Sequence, residues 1–209
     1  MNTSRIVLAS ASPRRRALMA KLGIAFRTVN IRFKERIPQA KPEDAALLLA
    51  WSKLKAARRR VRRGIVVTAD TIVALGGRIF GKPGSKREAC HMLSRLSGAT
   101  HEVITAIAVH DSASGTSLLG FERTWVTMRA LRGKEIAEYV ESGEPSDKAG
   151  AYGIQGMGGT LILGIRGDYF NVVGFPLRLF SAFVESVGIK VARSRLKSLY
   201  SGKRLVSTG

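Results

Sequence analysis

Directly after the apolar run "RIVLA" stand Ser10 and Ser12, then Pro13, Arg14 and Arg15. Short hydroxyls followed by forked guanidinium groups are donors matched to phosphate oxygens. If the apolar run is a strand and Pro13 opens a helix, the turn between them also directs backbone N–H groups outward at the positive end of a helix dipole. The same residues suit a plain capped helix, with Ser12 as N-cap and Pro13 in the first helical position. A second group is "TADTIV", where Asp70 nears the end of an apolar strand, with Lys82 twelve residues on between Gly81 and Pro83. Glu35, in "FKERIPQ", is a further carboxylate. Basic groups for a triphosphate, with carboxylates for a divalent cation and a water, are what phosphoanhydride hydrolysis requires. In "GAYGIQG", Gly150, Gly153 and Gly156 allow close backbone approach and the Gln155 amide can read a base edge. Taken singly, each has a bland reading as a turn Asp, a solvated Lys or Glu, or an exposed loop Gln.

Other chemistries lack their residues. The chain has no Walker-type glycine-rich run ending in Lys-Ser/Thr and no helical His-Glu-x-x-His. His91, His101 and His110 are scattered beside no cysteine pair, which argues against a structural zinc. The lone Cys90 excludes an internal disulfide framework and fits a reducing compartment, so the expected location is the cytoplasm. No window approaches the ~20 apolar residues of a membrane-spanning helix.

These side chains need a scaffold, and 209 residues at 45% hydrophobic are enough for one sizeable domain. Hydrophobic period and breakers predict strands at 6–9 and 24–29, with a helix between them carrying Leu18, Met19 and Leu22 and stopping at Gly23. A longer helix opens at Pro42 with Glu43 and Asp44 in its first turn. It ends in the arginine cluster at 58–63, charges that complement its dipole at both ends. A β-rich run follows, with Gly76 and Gly77 as a hairpin turn. Ser85 and Glu88 have capping-box spacing for a helix that Gly98 closes. Strands at 103–109 and 124–128, a helix at 134–142, a turn-rich stretch, a strand at 160–165 and a helix from Pro176 complete the series. Helices and strands alternate throughout, which predicts an α/β fold. Composition divides the chain into a domain at 1–189 and a basic C-terminal tail at 190–209.

In order, "LASASPRR", "FKE", "AWSK", "ADTIV", "GKP", "LSGATHEVITAIAV", "EPSDKAGAYGIQG" and "NVVGFPL" resemble the Maf family of nucleoside triphosphate pyrophosphatases over about 5–188. The resemblance implies a Maf/ITPase-like two-lobed fold: a mixed twisted sheet with flanking helices and a central cleft. It also implies a homodimer, dependence on a divalent cation (Mg²⁺ or Mn²⁺), and hydrolysis of a nucleoside triphosphate to monophosphate and pyrophosphate. By the same resemblance, Ser10, Arg14 and Arg15 grip phosphates, assisted by Lys53 and Lys82. Asp70 is the proton acceptor for the attacking water, and Glu35 helps hold metal, Asp70 being its other carboxylate. Arg14, Thr71 and Gln155 match positions that set nucleotide choice, and "KAGAYGIQG" is similar to the branch acting on dTTP and UTP. Three departures stand out. Lys53 is followed by "LKA" where the family usually has Ala directly, so Lys55 competes with it; "IRFKER" around Glu35 is more basic than the family's usual acidic context; and Phe175 replaces a usual Leu.

The net charge of +20, from 35 basic against 15 acidic residues, demands a polyanionic partner or a strongly solvated surface. This supports the rival reading, a basic nucleic-acid-binding or partner-binding regulator of cell division with little or no catalysis. Against it, aromatics are 7% and do not interleave with the basic runs, so weak nonspecific nucleic-acid binding is the more modest expectation.

Overall fold

The computed structural model describes residues 5–31, Phe33 and 36–201. Ile6–Leu8 form strand β1, fully buried, and Ser12 and Pro13 start helix α1 (Pro13–Lys21) as cap and first residue. Strand β2 is Phe26–Thr28, three residues rather than the six expected, because residues 25, 27 and 28 are exposed and give it no second buried face. Helix α2 (Pro42–Arg58) carries Glu43 and Asp44 in its first turn and Lys55 and Arg58 in its last, the polarity its dipole favours. Strands β3 (Ile65–Leu75) and β4 (Arg78–Phe80) make the hairpin at Gly76-Gly77. Helix α3 (Lys86–Leu96) is capped by Ser85, whose hydroxyl accepts from the Glu88 N–H, whereas the Glu88 carboxylate takes the Gly84 N–H instead of closing the expected box.

Strands β5 (Thr100–Asp111) and β6 (Ser117–Met128) form one long hairpin, each well beyond the span that sequence periodicity indicated. Helix α4 (Gly133–Glu141) leads into three short 3-10 turns at Glu144–Asp147, Ala149–Ala151 and Gly156–Leu161. Strand β7 (Ile162–Arg166), helix α5 (Tyr169–Val173), helix α6 (Leu177–Ser186) and helix α7 (Arg193–Ser201) complete the described elements.

The seven described strands form one open mixed sheet, ordered β2-β1-β3-β5-β6-β7, with β4 on β3. β1 runs parallel to β2 and β3, and the remaining pairs are antiparallel. The arrangement along β3 matters most for the site. One flank pairs continuously with β5, while the other pairs with β1 only at Ile65–Val67 and with β4 only at Val73–Leu75. Among the described residues, no strand covers that flank between 68 and 72, and this gap is where the cleft opens.

Three packed clusters make the two lobes. Odd residues of early β3 (Ile65, Val67, Ala69) face α1, α5 and α6 through Met19, Phe170, Phe175 and Phe180. Even residues (Val66, Ile72) face α2, whose Ala45, Ala46, Ala50 and Ala57 are completely buried and let the helix lie close on the sheet. Val73, Phe80, Val103 and Val126 form the second lobe with α3 and α4. The α/β architecture with two lobes is therefore as expected. Within the basic stretch from 190, Val191 is buried and α7 lays Leu196, Leu199 and Tyr200 against the first cluster. Tyr200 donates to the Asp168 carboxylate at 2.6 Å, and Arg178 stacks over its ring at 4.3 Å.

Candidate functional site

Because side chains alternate across a strand, Asp70 and Thr71 leave the gap in β3 on opposite faces of the sheet. Asp70 points to the α2 side, where the Lys53 ammonium lies 2.8 Å from its Oδ2 and the Thr71 N–H donates to Oδ1 at 2.8 Å. Both charges are largely withdrawn from water, with side-chain exposures of 8% and 12%. Lys55 is exposed on another face of α2, away from the cleft, so geometry separates two lysines that sequence left in competition. The register that delivers Lys53 is locked by Thr68, whose hydroxyl donates to the Ala50 carbonyl at 2.8 Å.

Thr71 points the other way, toward α1. Its hydroxyl sits 2.9 Å from that of Thr105 and accepts from Arg15 Nη2 at 3.1 Å. Arg15 Nη1 donates to the Ala69 carbonyl, a backbone acceptor exposed by the gap, and its Nε donates to the Gly174 carbonyl, both at 2.8 Å. Arg15 thus ties α1 to β3 and to the end of α5. Gly174 has φ +105, and a Cβ there would lie 3.1 Å from the Thr71 hydroxyl, so a side chain would press on this junction. Ser12 caps α1 through the Arg15 N–H and Ser10 accepts from the Ser12 N–H, which folds both hydroxyls over the helix start.

These groups converge on one cleft of about 300 Å³, a size that takes a small-molecule ligand. Ser10, Arg14, Arg15, Lys53, Asp70, Thr71, Lys82 and Gln155 all line it, although they come from five separate stretches of chain. Glu35 lies outside the described residues. Arg14 pairs with Asp147 across the cleft at 3.0 Å, and Lys148 holds the same carboxylate at 2.7 Å. Burial opposes ionisation of Asp147, but the Lys148 hydrogen bond and the Arg14 charge outweigh it and leave its pKa below the ordinary value. The described lining holds five cations (Arg14, Arg15, Lys53, Lys82, Lys148) against two carboxylates (Asp70, Asp147), an excess of three positive charges.

Sequence reasoning missed Asp147, Lys148, Tyr152, Tyr169 and Asn171. Asn171 is completely buried, donates to the Val103 carbonyl and the Thr124 hydroxyl, and accepts from the Thr105 N–H. It thereby fixes α5, whose Val172 and Val173 line the cleft. An Asn inside an apolar run, "FNVVGF", was the available signal, since a buried amide needs partners. Tyr152 lines the cleft floor with its hydroxyl 2.7 Å from His101 Nε2. Burial lowers the pKa of His101 to about 4, and a backbone contact at Ala99 restores only part. Burial raises the Tyr169 pKa, opposed in part by a hydrogen bond from the Gln155 side chain, which links Gln155 to α5.

For a divalent cation, no group of three or more His, Cys, Asp or Glu stands together among the described residues. A Mg²⁺-type ion held by one or two carboxylates and substrate phosphates needs no such cage. Asp70, a carboxylate lining a cleft rich in phosphate-type donors, fits that partial role.

Comparison with known proteins places these residues in context. Residues 5–187 match the family described as "Maf-like protein". The "dTTP/UTP pyrophosphatase" of Moorella thermoacetica is 46% identical over 189 residues, covering 90% of this chain and 97% of that protein. The protein of the same name from Methylobacillus flagellatus is 45% identical over 194 residues, covering 91% and 96%. A solved structure, the Staphylococcus aureus Ham1 protein, superposes with a TM-score of 0.48 at 14% identity, covering 87% of this chain and 98% of that one.

Proposed function

Since the chain belongs to the Maf family, we propose that its cleft binds a nucleoside triphosphate, with dTTP and UTP preferred, and hydrolyses it to the monophosphate and pyrophosphate. The observation that carries this reading is the buried Asp70–Lys53 pair, set in the β3 gap and sharing one cleft with Arg14, Arg15, Lys82 and Lys148. An excess of three positive charges suits a triphosphate, and the names of relatives at 45–46% identity agree with it.

In the proposed reaction, Asp70 accepts a proton from a water held against it. The water oxygen forms a bond to the α-phosphorus, and the bond from that phosphorus to the α–β bridging oxygen breaks. Pyrophosphate leaves with the electron pair. Lys53 orients the carboxylate and faces the developing phosphoryl charge, while Ser10, Arg14, Arg15 and Lys82 donate to phosphate oxygens. Arg14 exchanges Asp147 for substrate as it does so. A divalent cation would be held by Asp70 and Glu35 and would supply neutralisation of the polyphosphate charge. The Gln155 amide, a donor beside an acceptor, complements O4 and N3–H of thymine or uracil.

The test is product analysis with dTTP, UTP, CTP, ATP, GTP and 7-methyl-GTP in Mg²⁺ or Mn²⁺. Monophosphate plus pyrophosphate, fastest with dTTP or UTP, is the expected result. No turnover of any triphosphate with either metal would refute the reading.

The family resemblance also supports a homodimer, to be checked by mass in solution, and the single cysteine supports a cytoplasmic location. No described helix is long and apolar enough to cross a membrane. A secondary property is weak nonspecific nucleic-acid binding. Arg58, Arg59, Arg60, Arg62 and Arg63 are exposed near Arg5 and the starts of β1 and β3, away from the cleft at the other end of β1. Affinity for duplex DNA should then fall steeply with salt, and a salt-independent or absent signal would dismiss it.

A further inference from the structure

The segment 153–158 presents Gln155 to the cleft, yet the carboxylate that anchors it lies outside the cleft lining. Glu144, first residue of the 3-10 turn Glu144–Asp147, accepts from the Met157 N–H on Oε2 and from the Gly158 N–H on Oε1, both at 3.0 Å. Oε1 also accepts from the Tyr139 hydroxyl at 2.9 Å, and that hydroxyl in turn accepts from the Gly153 N–H at 3.3 Å. One carboxylate therefore holds both feet of the segment, the far foot directly and the near foot through Tyr139. The chain is shaped to this contact. Gly156 has φ +72, and a Cβ there would lie 2.7 Å from Glu144 Oε2.

The anchor is itself anchored. Ser142 Oγ accepts the Glu144 N–H, and Lys148 Nζ donates to the Glu144 carbonyl while also holding Asp147, the partner of Arg14. Glu144 thus joins the base-facing segment to the phosphate-facing side of the cleft.

We propose that Glu144 is a positioning residue for base selection, fixing through Met157, Gly158 and Tyr139 the height at which Gln155 meets the base. This inference rests on the nucleotide reading above and goes beyond it by naming what holds the reader in place. Hydrogen bonds to a charged acceptor are the stronger kind, and three on one carboxylate leave the segment little freedom. Neither Glu144 nor Tyr139 lines the cleft, so neither touches the reacting phosphates.

Glu144→Gln keeps the shape but turns one acceptor oxygen into a donor that faces another donor. Tyr139→Phe removes only the link to the Gly153 foot. The assay is kcat and KM for dTTP, UTP, CTP and GTP with wild type and both variants, with amide hydrogen exchange of 153–158 read in parallel. Expected for Glu144→Gln is a fall of about tenfold in the kcat/KM ratio of dTTP over CTP and GTP, equivalent to the loss of one such hydrogen bond. Most of it should appear as a raised KM for dTTP, with faster exchange at Met157 and Gly158 and kcat for dTTP within about threefold of wild type. Tyr139→Phe should shift the ratio the same way by less, and it decides the matter alone if Glu144→Gln does not fold. A merely structural role would lower all substrates in proportion and leave the ratio unmoved. That result, or a wild type that shows no base preference to lose, overturns the inference while the hydrolase reading stands. A wild type that turns over no triphosphate is a separate outcome, visible before any variant is made, and removes both.

Discussion

Replacing Asp70 by Asn and Lys53 by Met, singly and together, separates what the ion pair does for the fold from what it does for the chemistry. The groups are 2.8 Å apart with 8% and 12% side-chain exposure, so each charge offsets the desolvation of the other. Breaking such a pair from one side costs about 3–5 kcal/mol, whereas replacing both partners by well-packed apolar residues is often close to neutral. Each single variant should therefore lose about 3 kcal/mol. In a chain of this size that is ~6–12 °C of melting temperature. Lys53→Met should be the worse of the two, since a carboxylate on a mid-strand residue cannot reach water as a lysine stem can. The double variant should lose about 2 kcal/mol, the cost of the buried Asn amide facing Met, well short of the summed single losses, giving a coupling energy of several kcal/mol. Turnover should behave differently. Asp70→Asn removes the proton acceptor and should lower kcat by about 10²–10⁴, with nucleotide binding largely kept, and the double variant should recover none of it. The assay is denaturant unfolding plus pyrophosphate release on all four proteins. Additive stability losses would refute the buried-pair reasoning. Near-wild-type turnover in Asp70→Asn would remove Asp70 from the mechanism.

Lys55→Ala, on the exposed face of α2, should leave kcat/KM within about twofold of wild type; a loss matching that of Lys53→Met would reverse the assignment between the two lysines. Ser12→Ala should cost about 1 kcal/mol by uncapping α1, and unchanged unfolding would show that the cap is redundant. His101 gives a pH prediction. Its pKa falls from 6.5 to about 4 on folding, chiefly through burial, so below pH 6.5 the unfolded chain takes up a proton that the native site refuses. Stability should decline as pH drops from 6.5 to about 4, by about 3 kcal/mol from this group. His101→Gln should lack this component, and a wild-type-minus-variant difference that does not grow below pH 6.5 would refute it.

How far the site was legible varies residue by residue. Ser12, Pro13 and Gly23 mark a helix by local chemistry alone, and α1 begins and ends where they indicate. Periodicity predicts strands shorter than β5 and β6 because Glu102, Ser117, Gly120 and Glu122 break a simple apolar alternation. Their extension is enforced by eleven paired positions across the hairpin. The short α5 left little periodic signal, being five residues held by the Asp168 cap and by Asn171 rather than by propensity.

Residue type and order, by themselves, determined the anion-binding character, the candidate set from Ser10 to Gln155, and the α/β alternation, because caps, breakers and hydrophobic period act over a few residues. Which lysine meets Asp70, where Arg15 spends its donors, and what holds Gln155 were decided only by the tertiary structure. Each depends on partners many positions away: Lys53 on the register of α2 over β3, Arg15 on a backbone carbonyl that only an interrupted sheet exposes, and the segment carrying Gln155 on the Glu144 carboxylate, which takes the Met157 and Gly158 N–H groups. Such contacts depend on how sheet and helices stack, and no local pattern encodes a distance between residues that the chain brings together only once it is folded.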